Sequence, residues 1–197
     1  MNCIKDPIIL QGNYIEVIPL QNSHFKDLIE LSKDKIIWEH YAIDGSDTTK
    51  LILSLESALL QKEKGTQYPF VIKLLNENKI VGSTRFLDIQ PEHRKLEIGW
   101  TWLHPDYWGS RINLECKFLL LAHCFEHLFL SRVQLKTDEN NKRSRKAIEK
   151  LGAQYEGVFR NDMLRDNGTK RNSVYYSIID NEWLKIKNKL LELFLIH

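Results

Sequence analysis

Apolar and polar positions alternate in some stretches of the chain and recur at helical spacing in others. Tyr14–Leu20 alternates and predicts a first strand, closed near Pro19. Ser23 is the expected N-cap of a helix whose apolar face is Phe25, Leu28, Ile29 and Leu31. Ile36–Asp47 is aromatic and irregular, and Thr48–Lys64 predicts a second helix, with Leu51, Leu55 and Leu59 on one side and Gly65 as its stop. Tyr68–Leu75 and Ile80–Ile89 read as strands around the turn-like Asn76-Glu77-Asn78-Lys79. Pro91–Arg94 turns the chain into an aromatic strand over 95–103.

His104-Pro105-Asp106 ends that strand, because proline removes a backbone donor and holds the preceding residue extended. Gly109 and Ser110 precede about five turns of mostly apolar helix reaching Glu126. Arg132–Thr137 predicts another strand, and Asn140 or Asn141 opens a short helix ending at Leu151-Gly152. Ala153–Arg165 and Ser173–Ile179 form a hairpin around Asp166-Asn167-Gly168-Thr169. Asp180 or Asn181 caps a final helix carrying Trp183, Leu184, Leu190, Leu191, Phe194 and Leu195. The order β-α-α-β-β-β-α-β-α-β-β argues against a doubly wound sheet and for a mixed α+β fold.

A length of 197 residues suits one domain with a sizeable core. The net charge of +2 supplies no argument for a nucleic-acid or membrane partner. Cys3, Cys116 and Cys124 lack zinc-ligand spacing, and their odd number favours free thiols in a reducing compartment. Met1–Gln11 does not read as a signal peptide, and no apolar run approaches a membrane span. A cytoplasmic location is the expectation.

A strand feeding a turn that opens a helix presents free N–H groups at the positive end of a helix dipole, a seat for phosphate. Trp108-Gly109-Ser110-Arg111-Ile112-Asn113-Leu114-Glu115-Cys116 resembles the pyrophosphate loop of the GNAT superfamily of acetyl-CoA-dependent N-acetyltransferases. The subgroup it looks most like contains the Rim-type ribosomal-protein alanine N-acetyltransferases. Arg111 and Asn113 stand where that family has a glycine and a second small residue. A second run, Asn141-Lys142-Arg143-Ser144 through Lys150-Leu151-Gly152-Ala153 to Glu156-Gly157 and Arg160, resembles the subgroup's Asn-x-x-Ser…Lys-Leu-Gly-Phe…Glu-Gly…Arg pattern. The element order matches over about residues 10–183, which leaves 184–197 as a C-terminal helical extension of a single domain.

The resemblance implies a mixed, mostly antiparallel sheet flanked by helices, and transfer from acetyl-CoA to a primary amine without a covalent enzyme intermediate. The acceptor would be a protein or peptide N-terminus or a small amine; a non-catalytic acyl-CoA-binding module and an antibiotic-like amine acetyltransferase are the other readings. Gly109, Ser110, Arg111, Ile112, Asn113 and Leu114 would cradle the diphosphate, and Arg111 would either add charge there or plug the turn. Thr101, Trp102 and Leu103 would line the pantetheine arm, although Trp100 and Trp102 would also serve as core aromatics. Glu97 is the candidate base through water, or else a strand carboxylate paired with Lys95 or Arg85. Asn141 would contact the cofactor, or simply cap a helix, and Ser144 would protonate the departing thiolate, or be an ordinary helical serine. Trp38 and Tyr41 would wall the acceptor pocket or pack the core, and Glu39 and His40 read as solvated loop residues. The cations Lys142, Arg143, Arg145 and Lys146 would either face solvent or attract the 3′-phosphate of CoA. His123 and His127 have a spacing that can hold a metal, but no third ligand is evident, so no metal is expected. A homodimer is left open.

Overall fold

The computed structural model describes Ile4 and residues 7–195, so Cys3 lies outside the described residues. Eight strands are described: β1 (Leu10–Gln11), β2 (Ile15–Pro19), β3 (Tyr68–Leu74), β4 (Lys79–Gln90), β5 (Lys95–Leu103), β6 (Arg132–Asp138), β7 (Gln154–Leu164) and β8 (Lys170–Ile179). They make one sheet in the order β1-β2-β3-β4-β5-β6-β8-β7. All neighbours are antiparallel except β5 and β6, which run parallel. The connecting helices are α1 (Phe25–Leu31), α2 (Thr48–Glu63), α3 (Arg111–Ala122), α4 (Lys142–Lys150) and α5 (Asp180–Leu195). Apart from β1 this is the element order expected from the periodicity, and the mixed sheet is the one the resemblance implies.

Alternation along the strands builds a core on each face of the sheet. Phe70, Ile72, Phe86, Leu96 and Ile98 point to one face, where Cys116, Leu120 and Leu121 of α3 cover them. Val71, Ile80 and Trp102 point to the other, against Leu28 of α1 and Leu51 and Leu55 of α2. The final helix packs Trp183, Ile186 and Leu190 into the first of these cores. No helix among the described residues is long and apolar enough to cross a membrane.

Three local details differ from the expectation. The two-residue β1 is too short to show alternation and exists by pairing, Leu10 with Val17 and Gln11 with Glu16. Ser23 does not cap a helix. It lies within a 3-10 turn, Asn22–His24, in which His24 Nδ1 accepts from the Gln21 N–H at 3.2 Å, and α1 begins only at Phe25. The long apolar helix stays α-helical only to Ala122 and widens into a π-turn over His123–His127. That turn keeps the adjacent Cys124 and Phe125 both buried. His123 and His127 stack with centroids 5.3 Å apart, and His123 also lies over Phe86.

The N-terminal hairpin is tied to α3 by one carboxylate. Glu115, 3% exposed, accepts from the N–H groups of Asn13 at 2.6 Å and of Tyr14 and Ile15 at 3.0 Å. Three donors on one ionised acceptor form a strong arrangement. A Cβ on Gly12 would lie 2.5 Å from the Glu115 carboxyl carbon, so the turn must be side-chain-free there. Glu115→Ala should therefore cost about 3 kcal/mol, from loss of charge-assisted bonds to amides that are then poorly satisfied. Gly12→Ala should lower stability in the same direction. Urea unfolding midpoints check both.

Candidate functional site

The parallel pairing of β5 with β6 is short. Lys95, Leu96 and Glu97 pair with Arg132, Val133 and Gln134, and no pairs follow, although β5 runs on to Leu103 and β6 to Asp138. The strands therefore part at Glu97, and the edge of β5 facing β6 is left without ladder partners. On its other edge β5 bulges. Ser83 faces Trp102 and Arg85 faces Gly99, so Thr84 alone spans Trp100 and Thr101. Trp100 carries the strain, with a left-handed φ of 51°. Its ring is held by the Arg85 guanidinium at 4.7 Å and by Tyr41 at 5.7 Å.

A cavity of about 600 Å³ fills the gap between the strands. Residues 97–103 form one wall, Leu135–Thr137 the opposite wall, the start of α3 one end and α4 the floor. At that end Ser110 caps α3: its Oγ accepts from the Ile112 N–H at 3.3 Å and donates to the Tyr107 carbonyl at 2.6 Å. Gly109 has a φ of 74°, which a side chain would strain. The amides of the first helical turn have no intrahelical acceptor, and Asn113 and Leu114 line the cavity beside them.

Arg143, Lys146 and Lys150 of α4 bring positive charge to the same cavity from one side of their helix, at spacings of three and four. The Arg143 guanidinium lies 3.3 Å over the Trp108 ring. Arg145 turns away, donating to the Tyr176 hydroxyl at 3.2 Å, and Lys142 is exposed outside the lining. The basic run thus splits between cavity and surroundings.

Glu97 stands at the fork of the strands. It is 4% exposed, accepts from Gln134 Nε2 at 2.9 Å and lies 3.4 Å from Lys136 Nζ. Its ion partner is therefore Lys136 across the parallel pair, rather than Lys95 or Arg85. Burial pushes its carboxyl above the ordinary range, with Lys136 opposing. Gly99 leaves room for it, since a Cβ there would come within 2.7 Å of Glu97 Oε1.

The other expected residues fall in three groups. Trp102 and Leu103 line the cavity, and Trp102 also packs on Trp38, so its two readings coexist. Asn141 and Ser144 line it as well, but Asn141 Oδ1 caps α4 by accepting the Ser144 N–H at 2.9 Å. Tyr41 lines the cavity and donates its hydroxyl to the Thr101 carbonyl at 2.5 Å, burial pushing its phenol well up. Three residues do not reach it. Trp38 is 4% exposed, outside the lining, with Nε1 donating to the Ser32 carbonyl at 2.8 Å, so it is a core residue. Arg111 points outward, donating to the Tyr14 hydroxyl at 2.7 Å, and neither adds charge to the cavity nor plugs the turn. Ile112 sends its side chain into the core. His40 lines the cavity, and its carbonyl accepts from Arg171 at 3.2 Å; Glu39 is exposed.

Lys117, Lys136 and Arg171 were not singled out from the sequence, yet all three line the cavity. Lys117 had a readable signal: it is the lone cation in the apolar run of α3 and lies three and four residues from Leu114 and Asn113.

The Acetyltransferase (GNAT) domain model matches residues 15–154. The chain belongs to the GNAT acetyltransferase family. The candidate ribosomal N-acetyltransferase YdaF of Bacillus subtilis (strain 168) is 33% identical over 110 residues, 56% of this chain and 59% of that protein. A candidate acetyltransferase from T. thermophilus is 32% identical with a TM-score of 0.85, over 96% of this chain and 98% of that one. Mycobacterium smegmatis RimJ, solved with CoA-disulfide, shares the fold at a TM-score of 0.78 and 19% identity, over 95% and 93% of the two chains. Within the GNAT fold, the parted strands and the capped start of α3 are where this chain gathers its cavity-lining residues.

Tyr41 is the clasp between the aromatic segment and the bulged strand. Tyr41→Phe should leave the Thr101 carbonyl without its donor and cost about 1 kcal/mol. The midpoint of urea unfolding reads the cost, and the cavity should keep its lining.

Proposed function

We propose that this GNAT enzyme transfers an acetyl group from acetyl-CoA to a primary amine by direct attack, and that the amine is a peptide N-terminus or a small amine. The observation that carries this is the parting of β5 from β6 at Glu97 beside the N-terminal amides of α3. The residues present fit the donor. Amides at a helix N-terminus suit a diphosphate, Arg143, Lys146 and Lys150 suit its phosphates, and the bare edge of β5 suits an amide-containing arm. The RimJ structure of the same fold contains CoA-disulfide, which supports the same donor here. Bound there, acetyl-CoA supplies an activated acyl group.

In this reading Gly109, Ser110, Asn113 and Leu114 hold the diphosphate end, with Arg111 contributing only its backbone amide. The backbone of Thr101, Trp102 and Leu103 lines the arm, and a main-chain N–H on the edge facing β6 polarises the carbonyl, as a donor aimed at developing negative charge does. Glu97 accepts the proton of the incoming amine through water, and its raised pKa suits it to that exchange. Ser144 hands a proton to the departing thiolate, and Asn141 contacts the cofactor while its Oδ1 caps α4 by accepting the Ser144 N–H. Tyr41 forms the acceptor wall. An α-amino group is about one-tenth neutral at pH 7 and an ordinary lysine less than about a thousandth, which favours N-termini. The likeness to YdaF points the same way.

Thiol release measured over a panel of amines tests the reaction: release with at least one N-terminal peptide or small amine is expected, and none over the whole panel would refute it. Glu97 works as a base only when ionised, so wild-type turnover should fall as pH drops through its raised pKa. Glu97→Gln should lower turnover about a hundredfold or more and lose that acid limb, while acetyl-CoA affinity by calorimetry stays unchanged. Asn141→Ala should weaken acetyl-CoA binding, whereas Arg111→Ala should leave the dissociation constant within about twofold, because its guanidinium faces Tyr14.

A further inference from the structure

Lys117 is a cation in an unusual place. It is 6% exposed, on the face of α3 that carries Asn113 and Leu114, and its side chain lines the cavity. Nζ donates to Thr101 Oγ1, on the part of β5 beyond the fork. Thr101 Oγ1 is in turn 2.7 Å from Thr84 Oγ1. No carboxylate among the described residues lies within ion-pair distance of Nζ; Glu97 acts on it only from farther away. A structural lysine at this depth would be expected to have a paired acid. This one has a neutral hydroxyl and an open cavity.

We propose that Lys117 is itself an acyl acceptor: in the absence of an outside amine, its Nζ takes the acetyl group from acetyl-CoA and becomes acetyl-lysine. The proposal rests on the donor assigned above. The neutral amine attacks the thioester carbonyl, a C–N bond forms and the C–S bond breaks. The thiolate leaves, and the proton lost by the amine ends on the thiol, so the products are one amide and one CoA thiol. No further reactant is needed. Burial lowers the Lys117 pKa to about 8, so a fraction near that of an α-amino group is neutral at pH 7. The group is thus neutral about as often as an N-terminal amine, and it already lines the cavity. An amide does not pass its acyl group on under these conditions, so the event happens once per chain and removes a positive charge from the cavity wall.

The test uses the full chain incubated with acetyl-CoA and no acceptor, followed by intact mass and peptide mapping, with calorimetry in parallel. One acetyl group on Lys117 is expected, gained faster than on any exposed lysine and lost as a preference when the chain is unfolded in urea. Its rate should rise with pH up to about 8 and then level, as the neutral amine becomes the dominant form. Lys117→Arg should bind acetyl-CoA without that modification. Binding with Lys117 left unmodified, or with acetylation spread evenly over surface lysines, overturns the proposal and leaves the donor assignment standing. No binding at all overturns both.

Discussion

The site depends on the brevity of one parallel strand pairing. β5 and β6 share three residue pairs and then part, although each continues for several residues. A sheet that stayed zipped would satisfy its own amides and leave no gap. Parting exposes a row of backbone groups along one edge of β5 and creates the cavity beside it. The Trp100 bulge acts from the other edge, turning the strand where Thr84 faces two residues. Arg85, buried without a carboxylate partner among the described residues and lowered to about 10 by that burial, rests on the Trp100 ring and helps hold the distortion.

Polar groups accumulate at the fork in consequence. Glu97, Gln134 and Lys136 satisfy one another there, and Lys117 reaches Thr101 from below. Taking such charges out of water costs free energy that a small network only partly offsets. The apolar layers on both faces make that cost bearable, since α3 and α5 close one side and α1 and α2 the other. The Glu115 carboxylate adds a tether between α3 and the N-terminal hairpin, so the helix that opens the loop is held at its first turns.

Most of the fold was legible. Strand and helix boundaries over 48–103 and 132–179 came out within a few residues, because each element there is long and strongly periodic. β1 and the π-turn were not legible, since one depends on a pairing partner and the other on which of two adjacent residues the core accepts. In the site, Gly109, Ser110, Asn113, Leu114, Asn141 and Ser144, named from the two motif stretches, line the cavity, as do Glu97 and Tyr41, named from their place in the resemblance. Trp38 takes the core one of its two readings and Arg111 takes neither of its own, because a sequence shows residue type and not side-chain direction: the indole finds the Ser32 carbonyl and the guanidinium finds Tyr14.

By itself the sequence determined the order of the elements, the capped turn that opens α3 and the family to which the chain belongs. These follow from local periodicity, turn chemistry and a contiguous motif. Only the tertiary structure decided that β5 and β6 part at Glu97, that Lys136 is its partner and that Lys117 lies in the cavity wall. Those facts join residues sixteen to thirty-nine apart in the chain, across strands and a helix whose relative placement is set by packing on both faces of the sheet.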